Sequence, residues 1–268
     1  MFEEFGKLLQ KPSDLDAKLW RFIDIPKFVS LLDKEALYFS NSNTFDDPYE
    51  DRIGNYNKNF DIRLKKFRGR LEGVKDDNLK RLILAPPDQL LKIYKTRLLT
   101  NCWHLNYFES AAMWDLYSNR NSGIAIQSTF RRLCNSFHKT NFTIHIGEVK
   151  YIDFDTQWMK EDLFLSFLYK RPSFKHEQEV RAFTIMYDSD LPNGKLPKDL
   201  ILPSVGKSIK TNIEVFGEYI AVNLGELIER VYVSPKAPKY FEEVAESIVR
   251  RYGLSSNLLK KSDLYSLH

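Results

Sequence analysis

The chain has 268 residues, 43% of them hydrophobic, 28% charged and 14% aromatic, with 40 Lys and Arg against 36 Asp and Glu for a net charge of +4. That composition excludes a disordered or low-complexity polymer, and the length suits one large domain, residues 1–268. Mild basicity does not by itself select nucleic acid, and no run of about 20 apolar residues is available to cross a bilayer.

In chain order, the first 17 residues are polar and are expected to be loosely held. Leu19 to Ile23 reads as a short strand. Pro26 opens a helix at a position proline favours, with Phe28, Leu31 and Leu32 on one face. Ala36 to Ser40 is a second strand, and the Asn-, Asp- and Pro-rich stretch Asn41 to Asp51 an ordered loop. Phe60, Leu64, Phe67, Leu71 and Val74 recur at helical spacing. Pro86 and Pro87 break that helix, and Asp88 to Leu98 starts another. A buried strand follows at Thr100 to His104, then a helix at Glu109 to Tyr117, with Ala111 and Trp114 on its buried stripe. Gly123 to Ser128 predicts a strand, Arg131 to Phe137 a helix, and Thr143 to Tyr151 one alternating strand. Asp162 to Lys170 reads as helical and Gln178 to Tyr187 as extended. Prolines and glycines between 188 and 212 predict a mobile insertion. Strands at Tyr219 to Asn223 and Arg230 to Ser234 precede a last helix, Pro238 to Tyr252, which Gly253 stops. Helices and strands intermix without strict alternation. The expected class is therefore α+β, with a mixed or mostly antiparallel central sheet and several surrounding helices.

The two cysteines, Cys102 and Cys134, have no metal-ligand spacing, and the N-terminus lacks a basic start followed by an apolar run. The expectation is a cytoplasmic protein with reduced thiols. Glycine-rich phosphate loops, dinucleotide fingerprints and the serine-hydrolase elbow are missing.

Four constellations carry candidate chemistry. Glu177 and Glu179, two residues apart, share one face of an extended segment with Arg181. One of the acids must be pushed towards its neutral form unless a cation intervenes, and Lys170, Arg171 and Arg181 are the candidates. The arrangement reads either as an ion-pair ladder or as a carboxylate presented to a sugar hydroxyl. Arg21, between Trp20 and Phe22, is either a stacked surface arginine or a fork for phosphate or carboxylate. Asp46, Asp47 and Glu50 around Pro48 make a self-capping turn or a divalent-cation loop. Joined to Glu148 and Lys150, Asp46 or Asp47 would complete a metal-dependent nuclease. Finally, the acidic segment 33–51 is followed by a basic one, 58–70, whose Lys and Arg residues form a solvated helix face or a ridge for a nucleotide or nucleic acid. On that last feature the chain would be a non-catalytic nucleic-acid or protein binding module.

Ala36 to Ser40 with Phe45 to Glu50, Asn101 to His104 with Glu109 to Tyr117 and Gly123 to Ile126, and Lys170-Arg171 with Phe174, Glu177, Glu179 and Arg181 resemble, in order and spacing, the bacterial domain-of-unknown-function family DUF2971. The resemblance runs from about Trp20 to Ser262. It implies a single-domain prokaryotic intracellular protein without an agreed activity, in a family similar to accessory genes of mobile elements and phage defence. Beneath it the pattern is similar to the arginine–serine–glutamate arrangement of ADP-ribosyltransferases, which implies NAD as a substrate. On that likeness Arg21 would grip a phosphate of NAD, Tyr38 or Ser40 would orient the nicotinamide ribose, Glu179 would bind the ribose 2′-hydroxyl, and Glu177 would position the acceptor. Only Phe39-Ser40-Asn41-Ser42 follows Tyr38, where such enzymes carry a Ser-Thr-Ser triplet.

Overall fold

The computed structural model describes residues 9–45, 47, 95–117, 121–157, 167–186 and 215–266. The helix expected at 60–74, the basic segment 58–70 and the insertion at 188–212 lie outside these residues.

The elements follow local chemistry. Strand β1 (Lys18–Asp24) ends at Asp24, whose carboxylate accepts from the Lys27 amide and caps helix α1 (Ile25–Lys34). Pro26 stands in the first turn, where its missing N–H costs nothing. Glu35 turns left-handed at φ 45° and releases the chain into β2 (Ala36–Asn41). Then come β3 (Leu98–Leu105), α2 (Ala111–Tyr117), β4 (Gly123–Thr129), α3 (Phe130–Ser136) and β5 (His145–Glu148). Two short strands, β6 (Lys150–Tyr151) and β7 (Tyr169–Lys170), pair in parallel. A 3-10 turn at Pro172–Glu177 leads into β8 (Glu179–Ile185). The rest is β9 (Gly217–Ala221), the single turn α4 (Leu224–Leu227), β10 (Arg230–Val233), α5 (Lys239–Arg251) and β11 (Leu259–Lys261).

Among the described residues nine strands form one sheet in the order β11-β10-β4-β1-β3-β2-β9, with β8 on β3 and β5 on β8. Every pair in it is antiparallel except β10 with β11. The α+β expectation with a mostly antiparallel sheet therefore holds. Alternation sends Leu19, Ile23, Leu37, Phe39, Trp103, Ile124 and Val180 to one face, where they pack with apolar residues of α1, α3, α4 and α5. Trp20, Phe22, Ala125 and Tyr232 go to the other face and meet Met113 and Trp114 of α2.

Some expectations need correction. The segment 143–151 is not one strand, because β5 stays in the main sheet while β6 leaves it to pair with β7. Tyr169 and Lys170, expected in a helix, are extended, and so is Leu98, expected at a helix end. Ala111 is exposed, so the buried face of α2 is Met113 and Trp114. Residues 9–17 are tied down: the Glu148 amide donates to the Gln10 carbonyl, the Arg131 amide to that of Leu15, and Ala17 is buried. No described helix is long and apolar enough to cross a membrane.

Candidate functional site

The site begins as a fork in the sheet. One edge of β3 is fully occupied by β8, from Leu98↔Ile185 to His104↔Glu179. The other edge is shared by two strands. Strand β1 pairs with it only at Leu19↔Leu105 and Trp20↔His104, and β2 only at Ser40↔Thr100 and Asn41↔Leu99. Between these contacts side chains take over from the backbone ladder. Arg21 donates from Nη1 to the Cys102 carbonyl at 2.7 Å, and Asn101 donates from Nδ2 to the Tyr38 carbonyl at 2.9 Å. The strands part there and leave a cavity of about 710 Å3, with α1 lining its back through Pro26, Lys27, Ser30 and Leu31.

Arg21, Tyr38, Ser40, Glu177 and Glu179 all line this cavity. Far-apart residues of the chain are thus brought to one place. Trp20 and Phe22 point to the α2 face, and Arg21, between them, turns into the fork instead of stacking on either ring. Burial pulls its pKa below the ordinary guanidinium value, yet an arginine stays charged. Among the described residues its one hydrogen bond goes to a neutral carbonyl, and no carboxylate balances this charge. A guanidinium offers five donors, so Arg21, which lines the cavity, keeps donors beyond the one that reaches Cys102.

Across the cavity lies a buried ionic network. Arg181 holds Glu179 bidentately, Nε to Oε1 at 2.7 Å and Nη2 to Oε2 at 2.9 Å. Lys170 bridges the two acids, 2.6 Å from Glu177 Oε2 and 3.4 Å from Glu179 Oε2. Burial pushes the Glu179 pKa up, but the charge and hydrogen bonds of Arg181, the charge of Lys170 and a hydrogen bond from the Cys102 thiol more than offset it, holding the carboxyl at about 2. The acceptor sites of Glu179 are thereby filled. Among the described residues Glu177 accepts from Lys170 and from the Tyr117 hydroxyl at 3.0 Å, which leaves acceptor capacity on the same carboxylate. Arg171, the third candidate cation, serves elsewhere: it grips the buried Asp47 carboxylate at 2.7 Å.

The backbone that carries Glu177 is fixed with care. Gln178 is left-handed at φ 40°, a conformation costly for a residue with a Cβ. The peptide bonds on either side hold it there. The Glu177 carbonyl lies 2.5 Å from His104 Nδ1, the Gln178 carbonyl accepts from the Leu105 amide, and the Glu179 amide donates to the Tyr151 hydroxyl. A carbonyl only accepts, so Nδ1 of His104 carries the proton. Burial lowers the pKa of this imidazole, and its Nε2 is left as a buried acceptor without a hydrogen-bond partner. His104, Tyr117 and Tyr219 line the cavity without having been singled out as site residues from sequence. Each stood in a predicted strand or helix with no chemistry assigned to it, and only the tertiary fold brings them to the cavity.

Among the described residues the nuclease arrangement with Asp47 does not assemble. Asp47 is buried in the cavity wall under Arg171, while Glu148 accepts from Gln10 and does not line the cavity. Asp46 and Glu50 lie outside the described residues, among which no group of three or more His, Cys, Asp or Glu residues is placed to hold a metal ion. The basic segment on which a nucleic-acid module would rest also lies outside them.

A family model described as a protein of unknown function (DUF2971) matches residues 113–182. That span carries Tyr117, Lys170, Glu177, Glu179 and Arg181, and it supports the resemblance stated on the sequence motifs. No curated protein and no solved structure matches the chain.

Proposed function

We propose that the fork is the substrate site of a nucleotide-handling transferase that takes NAD and passes on its ADP-ribose. The observation that carries this reading is Arg21, a guanidinium without a described carboxylate partner, opening onto the same cavity as a buried carboxylate with spare acceptor sites. Arg21 takes a pyrophosphate oxygen, a pairing that suits a planar donor fork. Glu177 accepts the ribose 2′-hydroxyl and stabilises the positive charge that develops at C1′ as the nicotinamide bond loosens. The bond between C1′ and the nicotinamide nitrogen breaks, its electron pair leaves with nicotinamide, and an acceptor atom bonds to C1′ and loses its proton to solvent. Lys170 and the Glu179–Arg181 pair hold Glu177 in place. Glu177 thus takes the ribose, a role that the family likeness had placed on Glu179, because the oxygens of Glu179 are already engaged.

The test incubates the full chain with NAD labelled in the ADP-ribose moiety and candidate protein and nucleic-acid acceptors, and follows nicotinamide release and label transfer. Glu177→Gln is expected to cut the rate by about 100-fold or more, the usual scale for losing one stabilising group in the transition state. Arg21→Ala is expected to act mainly on KM. Equal rates for wild type, Glu177→Gln and Glu179→Gln would overturn the reading.

A further inference from the structure

Beside the ionic network the cavity wall carries an aromatic surface. Tyr38 of β2 and Tyr219 of β9 are cross-strand partners, with ring centroids 5.0 Å apart and planes inclined by 58°. Leu37, Phe39 and Ile220 are buried on the helix-covered face, so alternation sends Tyr38, Ser40 and Tyr219 to the open one. There the two tyrosines stay 43% and 39% exposed, both lining the cavity.

The Tyr38 ring does not stand up from the sheet. A Cβ built on Gly217, which faces Ser40 across the ladder, would come within 2.1 Å of Tyr38 Oη and 2.3 Å of Cζ. The phenol end of the ring therefore sits over Gly217, in space that only glycine leaves open. Tyr219 is anchored as well: its hydroxyl is hydrogen-bonded to Ser30 at 3.0 Å, and the Lys34 ammonium sits 4.8 Å from its ring centre. Two half-exposed rings lining the cavity into which Arg21 turns at the fork match a ligand with a flat face and an anionic tail.

We infer that Tyr38 and Tyr219 are a stacking platform for the planar base of the nucleotide whose phosphate Arg21 takes. The inference rests on the nucleotide reading above and adds β9 to the site. Adenine and nicotinamide share this chemistry, and a base stacked on an aromatic side chain gains roughly 5- to 150-fold in affinity.

The experiment measures binding by calorimetry, without turnover, using ADP-ribose (adenine only), nicotinamide mononucleotide (nicotinamide only) and ribose 5-phosphate (no base). Wild type is expected to bind at least one base-containing compound about tenfold or more tightly than ribose 5-phosphate. Tyr38→Ala and Tyr219→Ala should erase that advantage, and Tyr38→Phe should keep it. Thermal melting confirms that each variant is folded. The compound that loses affinity identifies which base is stacked. A base preference that survives both alanine variants, or no preference in wild type, overturns the platform. A base preference without nicotinamide release or transfer would overturn the transferase reading and leave the platform standing.

Discussion

Replacing Arg181 by Met tests the ionic network directly. Glu179 is 4% exposed and takes two hydrogen bonds from this one guanidinium. Removing Arg181 leaves a buried carboxylate with Lys170 3.4 Å away as its remaining cation. Breaking one side of a buried pair costs about 3–5 kcal/mol. The pKa of Glu179 points to the same scale: the difference between the ordinary 4.5 and about 2 corresponds to about 3 kcal/mol. In wild type that contribution is fully present above pH 4.5 and is lost as pH falls from 4.5 towards 2, because the folded state holds the carboxyl below its unfolded value. In Arg181→Met burial dominates and raises the carboxyl instead, so the deficit is largest at neutral pH and shrinks on acidification. Urea denaturation at pH 7 and pH 4.5 measures both quantities, and the loss at pH 7 corresponds to a Tm lower by roughly 6–20 °C. The double variant Arg181→Met with Glu179→Leu should recover most of the loss, since the stranded charge goes with it. A single-variant loss below about 1 kcal/mol, a deficit that does not shrink with acid, or a double variant no better than the single would refute the reasoning.

Three further predictions follow from other parts of the molecule. Burial pushes the Cys102 thiol well above its usual range and that of Cys134 to about 12, so both should resist a disulfide reagent at pH 8 in the native protein and react after denaturation; rapid labelling of either in the folded state would contradict this. Burial lowers the His145 imidazole to about 4, so its folded-state titration by NMR should have its midpoint there rather than near 6.5, and its contribution to stability should fade as pH drops from 6.5 to 4. Gly253 ends α5 at φ 74°, and Gly253→Ala should cost roughly 1 kcal/mol in chemical denaturation although a Cβ there meets no neighbour within 4 Å.

Much of the fold is legible in local pattern. Apolar alternation marks β1, β2 and β4, Pro26 with Asp24 marks the start of α1, and Gly253 marks the end of α5. The failures share a cause. Lys150–Tyr151 and Tyr169–Lys170 are two-residue strands whose only reason to be extended is each other, and Leu259–Lys261 is a largely polar edge strand held by β10. Such pairings are non-local, and no periodicity announces them. The same division runs through the site. Glu177, Glu179 and their cations Lys170 and Arg181 stand close in sequence, so their mutual charge could be argued from spacing. The fork could not, because it depends on where two ladders with β3 stop. Gly217 shows this most plainly: its meaning is a tyrosine ring supplied by a strand that lies far away in the chain.

The most direct measurement is crystallographic, on crystals of the full chain grown with ADP-ribose. Ligand density should fill the opening between β1, β2 and β3, with a pyrophosphate oxygen on the Arg21 guanidinium and a ribose hydroxyl on Glu177. Ligand bound at another surface while that opening holds only water would contradict the account.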